Sequence, residues 1–192
     1  MSNQVKATGV TLGLLWLLWP KKGTAKAPDL SDVTIAPPTS TTTGAEGAQG
    51  ESFLGLTGYS RGIRNNNPGN IKFKHSNNWD GKIPFNQNTD KIFEQFISFD
   101  YGVRAMIQLL DNYIDRDGRN TPKKIIEFWD HGNPSYLTFL INETGFSEHQ
   151  ILQVDKPTLK ALSQAIVKRE NPGDFLTDAR FETGYQLYLN LT

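Results

Sequence analysis

Between Gly23 and Gly58 the chain offers almost nothing to bury. The segment is rich in Pro, Thr, Ser, Ala and Gly, including Pro37-Pro38-Thr39-Ser40-Thr41-Thr42-Thr43-Gly44. A stretch of this composition cannot offset the entropy of ordering itself. It predicts a flexible linker over 23–58, which divides the 192 residues into an N-terminal piece, 1–22, and a C-terminal domain, 59–192. A linker of about 35 such residues has a mean reach of about 30–35 Å, enough for the two ends to act apart.

The N-terminal piece carries an uncharged, mostly apolar run from Ala7 to Trp19 between Lys6 and Pro20-Lys21-Lys22. As a helix it would extend about 20 Å, short of a bilayer core of about 30 Å. Snorkelling lysines and an interfacial belt of Trp16 and Trp19 narrow the gap, so the run is read as a membrane anchor. A cleaved signal peptide is the rival, because Ala25-Lys26-Ala27 has the form of a cleavage site. The charge order opposes it: one lysine precedes the apolar run and three follow.

The net charge is zero, and the basic and acidic residues both split four before Tyr59 and sixteen after it. Neither part is basic, so a nucleic-acid partner is not expected. With no cysteine, thiolate catalysis and thiolate metal sites drop out. His75, His131 and His149 do not pair at the spacing of a zinc hydrolase, and no metal or cofactor is expected.

The domain from Tyr59 to Thr192 reads as α+β. Three short segments, Ile71–Lys74, Trp79–Ile83 and Ile92–Phe96, alternate as strands separated by Asn-rich turns, and they predict a small three-stranded antiparallel sheet. About five helices follow. The first is capped at Ser98, shows Val103, Met106, Ile107, Leu110, Tyr113 and Ile114 on one face, and ends at Gly118. The others open at Thr121-Pro122, at Pro134 (ending at Gly145), near Asp155 (stopping at Asn171-Pro172-Gly173) and near Thr177.

Two places could carry chemistry. The run Gly62-Ile63-Arg64-Asn65-Asn66-Asn67-Pro68-Gly69-Asn70-Ile71 concentrates amides beside glycines and a proline. Such amides either build turns or line a floor of donors and acceptors for an acetamido-bearing sugar. Glu170 closes the fourth helix in Lys168-Arg169-Glu170-Asn171. It is either a solvated helix-end residue or a general acid, and the helix end and its two basic neighbours act on its carboxyl in opposite directions. Trp79, Tyr101, Trp129 and Tyr136 could stack on sugar rings or simply fill the core.

Taken together these stretches resemble a family of phage and prophage proteins with a lysozyme-like domain of the lytic-transglycosylase type. The resemblance runs from about Gly62 to Tyr188. It consists of the Gly62–Ile71 opening, the hairpin Trp79-Asp80-Gly81, the pattern of Phe93, Phe96, Tyr101, Gly102, Arg104 and Ala105, and the pair Glu170-Asn171. Relatives carry a further Glu-Asn near the second helix, where this chain has Trp129-Asp130-His131-Gly132-Asn133-Pro134.

The resemblance implies cleavage of the β-1,4 bond between N-acetylmuramic acid and N-acetylglucosamine, with Glu170 as the acid. Asn65, Asn66, Asn67, Asn70, Trp79 and Tyr101 would then bind the glycan. A transglycosylase needs no second carboxylate, whereas a hydrolase would look to Asp80 or Glu94. The implied setting is a phage particle whose enzyme is tethered in a membrane, contacts other virion proteins and opens peptidoglycan as the phage enters its host. A non-catalytic glycan-binding or structural virion protein, or a signal-anchored host-lysis enzyme, are the alternatives.

Overall fold

A computed structural model describes residues 50–190. Within them the order is α1 (Arg61–Arg64), α2 (Phe99–Asp111), α3 (Pro122–Trp129), α4 (Pro134–Thr144), α5 (Lys156–Glu170) and α6 (Asp178–Leu189), with a single π turn, Asn112–Arg116, continuing α2. The apolar run 7–19, expected as a membrane anchor, lies outside the described residues. Among those described, no helix is long and apolar enough to cross a membrane.

The helices begin and end where local chemistry tells them to. Thr121 and Asp155 accept hydrogen bonds from the backbone N–H groups of Lys124 and Thr158, and each precedes a helix with proline in its first turn. Asn133 does the same for α4, which Gly145 ends in a left-handed conformation at φ 74°. Ser98 stands at the head of α2 in extended backbone, yet its side chain makes no capping bond.

The core is built around α2, whose Val103, Met106, Ile107 and Leu110 are fully buried. Burying each such side chain contributes about 1.5–3 kcal/mol. α6 lies against α2, where Gly184 lets the backbones approach: a Cβ there would overlap Val103. α4 packs on α5 and α3 on α4. Leu140, Leu159, Leu162, Ile166 and Phe181 close the interior.

The α+β expectation, a lysozyme-like domain with a three-stranded sheet, is overturned. The described residues contain no strand. Only two isolated antiparallel bridges form in the predicted region, Lys72 with Phe93 and Lys82 with Phe96. The physical reason lies in the backbone and the amides. Asn70, Gly81 and Lys91 adopt positive φ (50°, 68° and 64°), which breaks the extended run at each predicted strand or its edge. Side chains then take the places of ladder partners. Asn67 Oδ1 accepts from Ile71 N–H, Asp90 Oδ1 from Phe93 N–H, and Asn88 Nδ2 donates to the Phe93 carbonyl.

Residues 50–58, read from composition as the end of the linker, belong to the folded unit. Phe53 is 1% exposed and meets Tyr59, Phe99 and Phe175 edge to face at 5.1–6.2 Å. Glu51 forks onto Arg180 at 2.6 and 2.7 Å, while its carbonyl accepts from Phe99 N–H. One aromatic and one carboxylate in a Gly/Ser/Thr-rich context were enough to dock the segment. The rest of the expected linker lies outside the described residues.

Candidate active site at the end of α5

The last turn of α5 meets the amide-rich loop. Asn171 is 1% exposed, and its Nδ2 donates to the Pro68 carbonyl at 2.8 Å while its Oδ1 accepts from Ser60 Oγ at 2.5 Å. Gly62 is required at this junction, because a Cβ there would stand 2.7 Å from both Asn171 Oδ1 and Asn70 Oδ1. The Glu-Asn pair and the glycine-asparagine run, a hundred residues apart in sequence, are thereby locked into one place.

Glu170 sits beside that lock with a partly exposed side chain. Its Oε2 accepts from Asn70 Nδ2 at 3.0 Å, and its Oε1 accepts from the Tyr136 hydroxyl at 3.0 Å. Tyr136 is 2% exposed; burial first, then the charge and hydrogen bond of Glu170, push its hydroxyl far above the ordinary tyrosine range. It therefore stays a proton-bearing donor aimed at the carboxyl. Each carboxyl oxygen keeps a second lone-pair direction, so the group can still reach a ligand. Lys168 is drawn aside to Glu143 at 2.7 Å. Arg169 donates to Ser135 Oγ and lies over the Tyr136 ring at 5.5 Å.

The sequence-predicted binding residues separate into two groups. Asn70 is brought to Glu170, in left-handed backbone, with its own Oδ1 buried and unpartnered. Asn65, Asn66 and Asn67 are instead turned inward. Asn66 Oδ1 accepts from Phe53 N–H at 2.7 Å and its Nδ2 donates to Ser52 Oγ and the Phe96 carbonyl. Asn67 Nδ2 donates to the carbonyls of Ile71 and Glu94, and Asn65 joins Asp90 to Gln95. At 0–3% exposure these three amides hold the loop together.

Tyr101 and Trp79 serve the 79–83 turn. The Tyr101 ring covers Gly81, where any Cβ would collide with it, and Trp79 packs partly buried against the core with its Nε1 unpartnered. Asp80 pairs with Arg104 at 2.6 Å. Glu94 is completely buried, accepting from Asn77 Nδ2 at 2.8 Å and lying 3.6 Å from Lys82 Nζ, with its Oε2 unpartnered. Among the described residues no three His, Asp or Glu side chains converge as a metal site needs.

Sequence reasoning weighed Tyr136 only as a stacking ring and missed its hydroxyl, whose partner is 34 residues away. In the sequence Asn171 figures as a helix stop and as the second half of a motif, not as a lock between the helix end and the amide-rich loop. Its signal was there, since an asparagine before Pro172-Gly173 at a helix end has its backbone turned out of the helix and its amide free to bond elsewhere.

No protein-family model matches the chain. The chain is similar to a protein named Protein P5 of Pseudoalteromonas phage PM2, 29% identical over 132 residues that cover 66% of this chain and 80% of that protein. The likeness is thus to a bacteriophage protein and extends over most of it.

Proposed function

We propose that this chain is a virion-associated enzyme that opens peptidoglycan by cleaving the glycan strand, with Glu170 as the proton-transferring group. The observation that carries the reading is the convergence of Asn70 and Tyr136 on the Glu170 carboxyl at 3.0 Å each. The phage relative, and the likeness of the Gly62–Ile71 and Glu170-Asn171 motifs to murein-cleaving phage proteins, support it.

In this mechanism the Glu170 carboxylic acid protonates the glycosidic oxygen between N-acetylmuramic acid and N-acetylglucosamine as the bond breaks. The carboxylate so formed is held by donors already in place, the Tyr136 hydroxyl and Asn70 Nδ2, so little reorganisation accompanies the charge. It then takes the proton of the muramic 6-hydroxyl as that oxygen closes on the anomeric carbon, giving an anhydro end. That route suits a site in which Asp80 and Glu94 are already engaged, one with Arg104 and the other in the interior.

A second reading, a glycan-binding or structural virion component without catalysis, is favoured by one observation: both Glu170 oxygens already accept hydrogen bonds within the protein. Digestion of purified peptidoglycan by the full-length chain separates the two. Enzymatic function predicts soluble anhydro-ended muropeptides and, for Glu170→Gln, a loss of at least about 100-fold with the thermal midpoint moved only a few degrees. Pelleting with intact murein and no release of fragments at any pH from about 4 to 9, a window spanning the ordinary Glu and His ranges, supports the second reading.

A further inference from the structure

The loop region between Lys72 and Glu94, freed from forming a sheet, gathers aromatic rings and cations on the outside of the domain. Phe73, His75 and Phe85 touch one another with centroids 4.8–5.2 Å apart. Phe85 is 42% exposed and Ile92, whose carbonyl accepts from Phe73 N–H, is 57% exposed. Lys82 lies over the Phe73 ring at 4.5 Å and Lys91 over the Phe85 ring at 4.7 Å. Lys74 is exposed at the same edge, and burial together with Lys74 pushes the neighbouring Lys72 downward.

The acids of this region are turned to other partners. Asp80 pairs with Arg104, Asp90 with Arg61, and Glu94 is buried beneath Lys82. Four lysines against two aspartates and a glutamate, with two arginines from elsewhere engaging the aspartates, leave the face positive. Exposed Phe and Ile side chains in such a ring of lysines have the chemistry of an interfacial membrane contact: apolar groups that enter the headgroup boundary and cations that meet anionic lipid. Single-stranded nucleic acid fits less well. Each phenylalanine face covered by a lysine is closed to a base, which would have to displace the cation to stack.

We infer that the Phe73–Phe85–Ile92 face, with Lys74 and Lys91, docks on an anionic bilayer surface, while Lys82 stays engaged with Glu94 and the carbonyls of Lys74 and Asn77 beneath it. This contact is separate from the apolar run at 7–19 and independent of the Glu170 reading. It would set the domain down on the membrane surface.

Because the run at 7–19 is itself expected to reach bilayers, the test reads the loop locally in the full-length chain. The sequence has no cysteine, so a nitroxide on Gln87→Cys, an exposed position beside Phe85, reports that loop alone. A second chain labelled at Ser147→Cys, exposed in the α4–α5 connection, is the control. On vesicles containing phosphatidylglycerol the label at 87 should become accessible to oxygen and shielded from a polar nickel reagent, and the label at 147 should not.

On pure phosphatidylcholine, or with Lys74→Glu and Lys91→Glu together, the immersed fraction should fall by about fivefold per lysine or more. Phe85→Ser with Ile92→Ser should abolish it while leaving the thermal midpoint nearly unchanged. A label at 87 that stays water-exposed on both kinds of vesicle overturns the proposal. Equal immersion on both kinds of vesicle, or equal shielding by a single-stranded oligonucleotide, also overturns it.

Discussion

Residues 50–98 and residues 99–190 are held by different forces. The second region is a set of helices whose apolar faces build most of the core, with side-chain caps at the starts of α3, α4, α5 and α6. The first has no helix longer than one turn and no strand, and its shape is kept by buried amides. Asn65, Asn66, Asn67, Asn88 and Gln95 bond to backbone and to one another, doing for an irregular chain what a hydrogen-bonded ladder does for a sheet. Buried backbone must find partners, and where regular structure does not supply them, side chains of matching length can. The difference also bears on function. The region that carries the proposed docking face adds a network of buried amides to the few core side chains it supplies, Phe53, Ile63, Ile71 and Phe96, while the region that carries Glu170 supplies most of the apolar core.

The sharpest way to break this comparison is Asn66→Ala. The change leaves Phe53 N–H and the Phe96 carbonyl buried without their partner and puts alanine at φ 52°, where asparagine is tolerated and alanine is not favoured. The expected cost is about 3–5 kcal/mol, as large as emptying the core with Leu110→Ala. Denaturant unfolding of the two variants side by side is the measurement. A cost under about 1 kcal/mol for Asn66→Ala would show that the amides are bystanders.

How much of this was legible follows the same division. In the helical half, a 3.6-residue period, Thr, Asn or Asp before a proline, and glycine at the end are local signals, and the helices stand within a residue or two of where those signals put them. In the irregular half, Ile71–Lys74, Trp79–Ile83 and Ile92–Phe96 alternate like strands, but alternation reports only which side chains turn inward. It does not report that Asn67, Asn88 and Asp90 would bind the backbone groups a neighbouring strand needs. The same asparagines admit two readings from sequence, turn builders or ligand groups, because their number is visible and their partners, up to 30 residues away, are not. Glu170 and Asn70 could be singled out from position and motif; that they touch each other across 100 residues could not.

A smaller effect sharpens the comparison by charge. Asp90 is pulled against its burial to about 2 by hydrogen bonds from Arg61, Asn65 and the Phe93 N–H and by the Arg61 charge. A carboxyl lower in the folded than in the unfolded chain adds stability that is complete above the unfolded value near 3.8 and is lost as the pH falls from there toward 2. Stability of the wild type should therefore drop across that window by more than that of Asp90→Asn, with the two curves parallel above about pH 5, where the carboxyl is ionised in both states. Parallel curves down to pH 2 would mean the Asp90 cluster does not hold the irregular half.

The smallest effect belongs to the helical half, and its size is the point. Thr121 is 6% exposed and caps α3 through a single bond from Lys124 N–H at 3.3 Å. Thr121→Ala removes one partner from a helix end whose next residue, Pro122, has no N–H to satisfy, and the apolar face of Ile125 and Ile126 remains in the core. The loss should be about 1 kcal/mol, a shift of about 2–4 °C in a chain of this length, and Thr121→Ser should recover most of it. One buried polar side chain in each half is thereby deleted under the same conditions. If polar bonding holds the first region and apolar packing the second, Asn66→Ala must cost several times as much as Thr121→Ala. Equal costs would place α3 among the polar-held elements and move the division between the two regions beyond residue 129.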